Sequence, residues 1–248
     1  MPRYGAKTDN DFPEGFVMKV PDRLGWLEQI YAIHDGYASG LSTACAKGCA
    51  ACCTCNVAVT TMEGLLVYEY LLASGRTDQV QAILRSKPPL RYRPRLSLNQ
   101  VVTLCASGRQ PPEEANDATA GICPLLTDGI CSIYPVRPFG CRAMLSTSDC
   151  AASGDAQMPP FILSINNVMM QYIEAMDRPG FTGNLLDILE FMAREASRQG
   201  YREGKSPDAS MGMPANRSFP VLMVPPEHRS DIRPLIQSLG AAAKAFQS

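Results

Sequence analysis

Cys45-Ala46-Lys47-Gly48-Cys49-Ala50-Ala51-Cys52-Cys53 sets four thiols within nine residues. A second run answers it downstream: Cys123-Pro124-Leu125-Leu126-Thr127-Asp128-Gly129-Ile130-Cys131, then Arg137-Pro138-Phe139-Gly140-Cys141-Arg142, and finally Cys150. Positions i, i+4 and i+7 share one helical face, so the first group predicts Cys45, Cys49 and Cys52 pointing the same way with Cys53 beside them. The second group reads as loops and a tight turn, with Asp128-Gly129 as the hairpin turn. Eight thiols in two spaced groups predict a metal site.

Composition decides how those cysteines are read. The chain has 248 residues, 46% of them hydrophobic, and a formal net charge of −1. That length buries a core without covalent staples. The near-neutral charge lacks the basic excess of a nucleic-acid binder. The first residues carry no apolar signal core and no apolar stretch is long enough to span a membrane, so a cytoplasmic setting is expected. In reducing cytosol ten cysteines favour metal or redox chemistry over disulfides. A bridge between the neighbours Cys52 and Cys53 would also be strained.

Around the thiols the pattern is helical. Helices are predicted from Asp22 to about Gly40, from the capping box Thr60-Thr61-Met62-Glu63 to near Gly75, from Thr77 to Arg85, and from Ser97 to Ala106. Arg85 to Arg95, with its prolines, reads as a solvated basic connector, and Gly108 to Gly121 as a loop. Ile162, Ile165, Met169, Ile173 and Met176 form one later stripe. Leu185, Ile188, Leu189, Met192 and Ala196 form another, with Gly200 at its C-cap. A last helix is expected from Pro225 to about Phe246. The fold class is therefore mainly α: a compact helical domain with a small β-hairpin and Cys-rich loops forming the metal site. Residues 1–200 read as the cysteine-cluster domain and 201–248 as a C-terminal extension.

The spacing Cys-x3-Cys-x2-Cys-Cys, then Cys-x2-Leu, Gly-x-Cys-x-Ile-Tyr, Arg-Pro-x2-Cys-Arg and a last Cys, resembles the YkgJ-like cysteine-cluster family. The matching residues are Cys45, Cys49, Cys52, Cys53, Cys123, Leu126, Gly129, Cys131, Ile133, Tyr134, Arg137, Pro138, Cys141, Arg142 and Cys150. That family is described as a zinc- or iron-chelating domain, so the resemblance implies metal binding without a settled reaction. The chain departs from it by adding Cys55 and Cys105.

Closed zinc sites take four cysteines, and iron–sulfur clusters also use Cys-rich sets, often with a Cys-Pro ligand such as Cys123-Pro124. An iron–sulfur cluster of the 4Fe-4S kind is favoured over zinc. Arg137 and Arg142 would offset the negative charge of a thiolate site, or stand as ordinary surface arginines. Cys105 reads as a core cysteine, His34 as a core or interface histidine about 16 Å of helical rise from Cys45, His228 as solvated, and Cys55 stays undecided.

The expected role is redox, metal handling or maturation of a protein partner. Two rivals stand: a cluster-dependent enzyme using S-adenosylmethionine for radical or methyl transfer, because Cys45-x3-Cys49-x2-Cys52 has the radical-enzyme spacing, and a zinc-stabilised interaction module without catalysis. Gly200-Tyr201-Arg202-Glu203-Gly204-Lys205-Ser206 imitates a phosphate loop but is one residue short and follows a helix.

Overall fold

A computed structural model of the protein describes residues 19–46, 48–86, 88, 90–114, 121–205 and 212–245. It is mainly helical, with two small antiparallel sheets. Helix α1, Val20–Ser39, starts with a proline and Asp22 in its first turn, both suited to a helix N-terminus. Strand β1, Ala58–Thr60, runs directly into α2, Thr61–Ala73, through the predicted capping box. Helix α3, Thr77–Ser86, and α4, Leu98–Ala106, follow, the latter opened by a second capping box between Ser97 and Gln100. The hairpin β2–β3 pairs Leu126–Thr127 with Ile130–Cys131. Asp128 (φ 51°) and Gly129 (φ 74°) both take the positive φ of a type I′ turn, as the sequence predicts.

Two four-residue helices come next, α5 at Phe139–Arg142 and α6 at Cys150–Ser153. The long α7, Pro160–Met176, leads to β4, Thr182–Asn184, and then to α8, Leu185–Ala193. β4 pairs antiparallel with β1, Val59 opposite Gly183. That pairing joins segments more than a hundred residues apart and left no trace in the periodicity. Helices α9, Glu195–Arg202, and α10, Arg233–Ala245, complete the chain.

The core has two parts, with α2 between them. On one side Trp26, Leu27 and Ile30 of α1 pack with Ile165, Val168 and Met169 of α7 and with Ile232, Leu235 and Leu239 near the C-terminus. Met62 of α2 belongs to this part. On the other side Leu65, Val67 and Leu71 of α2 meet Ile188 and Leu189 of α8 and Val80 and Ile83 of α3. Gly64 sits where α2 meets α8 so closely that a Cβ would overlap Ile188 Cγ2.

Three expectations need correction. The stripe from Leu185 does not reach Gly200. Arg194 is extended (ψ 114°), the Arg198 guanidinium donates to the Met192 carbonyl at 2.6 Å, and Gly200 lies inside α9. The last helix begins at Arg233 because Pro225 and Pro226 set a 3-10 turn over Pro226–His228 first; Phe246 lies outside the described residues. The basic connector is not simply solvated: Arg91 is buried and forms a bidentate pair with Asp187 of α8, which Arg93 also contacts at 3.0 Å. Burial alone would raise the Asp187 carboxyl, but the two arginines outweigh it and hold it below the usual range.

A fully buried carboxylate, Asp177, closes the space between the two parts. Its oxygens accept from Met62 N–H at 2.9 Å, Asn216 Nδ2 at 3.0 Å, Arg23 Nη1 at 3.4 Å and the Tyr201 hydroxyl. Burial pushes this carboxyl up to about 7 despite those donors. An unfolded aspartate titrates near 3.9. Between about pH 4 and 7 the folded state therefore holds a proton that the unfolded state has lost, and stability falls as pH rises through that window. The Asp177→Asn variant should show a shallower decline of its urea midpoint from pH 4 to 7 than the parent; parallel curves would reject this assignment.

Candidate metal centre

The segment that carries the first four thiols is not a helix. Gly48 adopts φ 96°, outside the right-handed region, so Cys45, Cys49 and Cys52 do not share a helical face. Two tight turns replace the helix, Cys49 N–H donating to Ala46 O at 2.9 Å and Cys53 N–H to Ala50 O at 3.0 Å. The chain then zips against the second group. Cys123 N–H donates to Cys53 O and Cys55 N–H to Gly121 O, each at 3.0 Å, and Thr54 bridges Ile122. Main-chain hydrogen bonds thus join cysteines that are about seventy positions apart.

The hairpin returns Cys131 beside Leu126, and α5 presents Cys141. Helix α5 is fixed by Glu63, whose Oε1 accepts from Phe139 N–H at 2.7 Å and from the Tyr31 hydroxyl at 3.1 Å. Its Oε2 accepts from Thr60 N–H at 2.9 Å and Thr60 Oγ1 at 3.0 Å. Burial raises this carboxyl above its usual range, and the donors draw it partly back. The capping box was legible in the sequence; its reach to Tyr31 and Phe139 was not.

The result is a group of six thiols near enough to feel one another's charge: Cys52, Cys53, Cys55, Cys123, Cys131 and Cys141. Burial pushes Cys141 up to about 12, with the neighbouring thiols Cys123 and Cys131 and the Glu63 carboxylate adding to it. Burial likewise lifts Cys123 to about 11, against a hydrogen bond from the Leu125 backbone. Cys52 goes the other way. A hydrogen bond from Cys53 draws it down to about 6 against the cost of burial, with its own backbone and the Arg137 charge helping, while Cys53 rises for the same reason.

The remaining predicted ligands lie elsewhere. Cys45 accepts from Ser146 N–H at 3.2 Å, and Cys150 Sγ approaches Ser148 O at 3.9 Å, so both belong to the loop at 144–148. Cys49 is exposed. Cys55, left undecided by the sequence, is buried in the α2–α8 core and joins the group through Cys123. Cys105, expected in the core, is exposed: only the start of α4, where Glu174 accepts from Ser97 Oγ and Asn99 N–H, is held inside, and the final turn faces solvent.

The arginines differ in role. Arg142 is buried with every nitrogen engaged: Nη1 on Asp35 at 3.0 Å, Nη2 on Pro135 O at 2.7 Å and Nε on Arg137 O at 3.0 Å. It also lies 4.3 Å from the Tyr31 ring centre. Arg137 stacks on Tyr134 at 4.1 Å, and its Nε is buried without a hydrogen-bond partner among the described residues. Its charge helps lower Cys52. His34 is buried, edge-on to Phe139 at 4.9 Å and bonded to Asn166 at 3.3 Å, and burial lowers its basicity. His228 is half-buried, with Nδ1 2.8 Å from Ser164 Oγ, rather than solvated.

In kind and number the thiols suit zinc or an iron–sulfur cluster. Among the described residues, however, no three His, Cys, Asp or Glu side chains are arranged so as to hold a metal ion. The six thiols are neighbours, not a closed cage. A groove of about 590 Å³ opens beside Cys53, lined also by Ala50, Thr54, Ile122 and Gly129. The exposed side chains of Ile122 and Ile130 stand in the two segments that frame it.

No protein-family profile, curated protein or solved structure matches the chain.

In reduced, metal-free protein, Cys52 should alkylate first, with a midpoint near pH 6, while Cys123 and Cys141 stay silent until well above pH 9. Cys53→Ala removes the hydrogen bond that lowers Cys52 and should move that midpoint up by at least one pH unit. Site-resolved alkylation by mass spectrometry across pH reads both, and an unmoved midpoint would refute the pairing.

Proposed function

We propose that this protein binds a metal through its clustered cysteines, as an iron–sulfur cluster of the 4Fe-4S kind, and serves in redox chemistry, metal handling or maturation of a partner protein. One observation carries the reading. Six thiols from three separated stretches are drawn together, and desolvation with the neighbouring thiols opposes ionisation of Cys53, Cys123 and Cys141. A site of free thiols gains nothing from that crowding. A bound cation reverses it, because coordination favours the deprotonated sulfurs and removes their repulsion.

Cys53, Cys123, Cys131 and Cys141 would hold the group, with Cys52 adjacent and Arg137 offsetting the charge. A bound cluster supplies one-electron transfer, at a potential tuned by burial and nearby charge. Cys45, Cys49 and Cys150 belong to the proposed ligand set only if metal binding draws the 144–148 loop inward. The resemblance to the YkgJ-like cysteine-cluster family supports the same chemistry, and the Cys123-Pro124 step favours iron–sulfur over zinc.

The fold speaks against the radical-enzyme rival. That chemistry needs a partial barrel of parallel strands, whereas the sheets among the described residues are two-stranded and antiparallel. Reduced, reconstituted protein should release no 5′-deoxyadenosine from S-adenosylmethionine above a cluster-free control; repeated turnover would establish the rival.

Anaerobic purification with iron and acid-labile sulfide analysis tests the main reading. Iron and sulfide in equal amounts are expected, with more than half lost in Cys53→Ser and Cys141→Ser and none lost in Cys105→Ser, since serine lacks the soft sulfur these metals prefer. Tight, colourless zinc would establish the interaction module instead. Loss of metal first in the Cys105 variant would overturn the ligand assignment.

A further inference from the structure

A second cavity, of about 400 Å³, lies between β1, α4, α7 and the stretches around 92–96 and 111–114. Its size suits a small organic molecule. Val59, Leu96, Leu98, Val101, Met170 and Ile173 are among its apolar walls. The charged lining is one-sided: Glu63, Glu114 and Glu174 reach it, and no lysine, arginine or histidine does among the described residues.

Their hydrogen bonds separate these carboxylates. A carboxylate offers about four acceptor positions. Glu63 has all four engaged by Thr60, Tyr31 and Phe139. Glu174 accepts Ser97 Oγ and Arg217 N–H on Oε1 and Asn99 N–H on Oε2, and burial shifts it toward its neutral form. Glu114 accepts Arg95 N–H at 3.0 Å and Leu96 N–H at 3.2 Å on Oε1, and the Tyr92 hydroxyl at 2.6 Å on Oε2. Like Glu174 it keeps acceptor capacity on Oε2, but it is half-buried where Glu174 is buried, and none of its bonds comes from a cation.

An anionic ligand would meet three carboxylates and no counter-charge. A purely apolar ligand would fill the walls but leave the Glu114 charge desolvated without compensation. An apolar body with one positive end answers both demands. We propose that this cavity binds a small apolar molecule bearing a single ammonium group, with the Glu114 carboxylate as its counter-ion. The inference rests on the cavity alone and stands whether or not the thiols carry metal.

The test titrates the full-length protein with 2-phenylethylammonium and with its neutral and anionic counterparts, 2-phenylethanol and 3-phenylpropionate, by calorimetry. The ammonium should bind at least tenfold more tightly than the alcohol, and the carboxylate should give no saturable heat. Val101→Trp fills the space and should abolish binding; Glu114→Gln keeps the shape and should bring the ammonium down to the affinity of the alcohol. Thermal melts confirm that each variant is folded, and should Val101→Trp not fold, Glu114→Gln at the half-buried position carries the test. Equal affinity for ammonium and alcohol, ammonium binding unchanged in either folded variant, or no binding of the ammonium to the parent would overturn the proposal.

Discussion

The buried carboxylate of Glu63 is the constraint on which the arrangement depends. It takes four hydrogen bonds, two from Thr60 at the entry to α2, one from Tyr31 of α1 and one from the first amide of α5. Burying such a group without partners costs several kcal/mol, so these donors cannot be dropped singly without penalty. Beside it Asp177 takes the Met62 amide. Two carboxyl groups therefore sit at the amino end of α2, where they take up amides that the helix leaves without partners. The helix between the two halves of the core is held at its first turn, and Cys141 inherits its place from the same bonds.

From that anchor the thiol region can be irregular and still be definite. Its turns at Ala46–Cys49 and Ala50–Cys53 leave few regular ladders, and the position of Cys53 comes from the short zipper with Gly121–Cys123 and the hairpin behind it. Arg142 holds Asp35 and the carbonyls at 135 and 137, tying the loop before α5 to α1. The sulfurs crowd because the backbone brings them there, and their desolvation favours thiol over thiolate at Cys123 and Cys141.

The apolar cavity shares Glu63, Phe139 and Gly140 with the supports of Cys141. One wall therefore serves two places of different chemistry, a soft-ligand region rich in sulfur and a hard, apolar chamber edged by oxygen.

Much of the architecture was legible in the chain. The capping boxes at Thr60 and Ser97, the stripe from Ile162 to Met176 and the Asp128-Gly129 turn all concern residues within a few positions of each other, and each formed where expected. Local rules failed where a residue's state depends on distant partners. The Cys45–Cys52 spacing fits a helical face, yet Gly48 takes a positive φ and the segment finds its hydrogen bonds across the chain. Cys105 sits at helical spacing from Val102, but it and Ala106 at the end of α4 are exposed. The sequence by itself determined the elements, their caps and the supply of thiols, because those follow from periodicity and nearest-neighbour hydrogen bonding. Only the tertiary structure decided which six thiols meet, that Arg142 is committed to Asp35 and two carbonyls, and that β1 pairs with β4, because these are set by contacts between segments tens to more than a hundred residues apart.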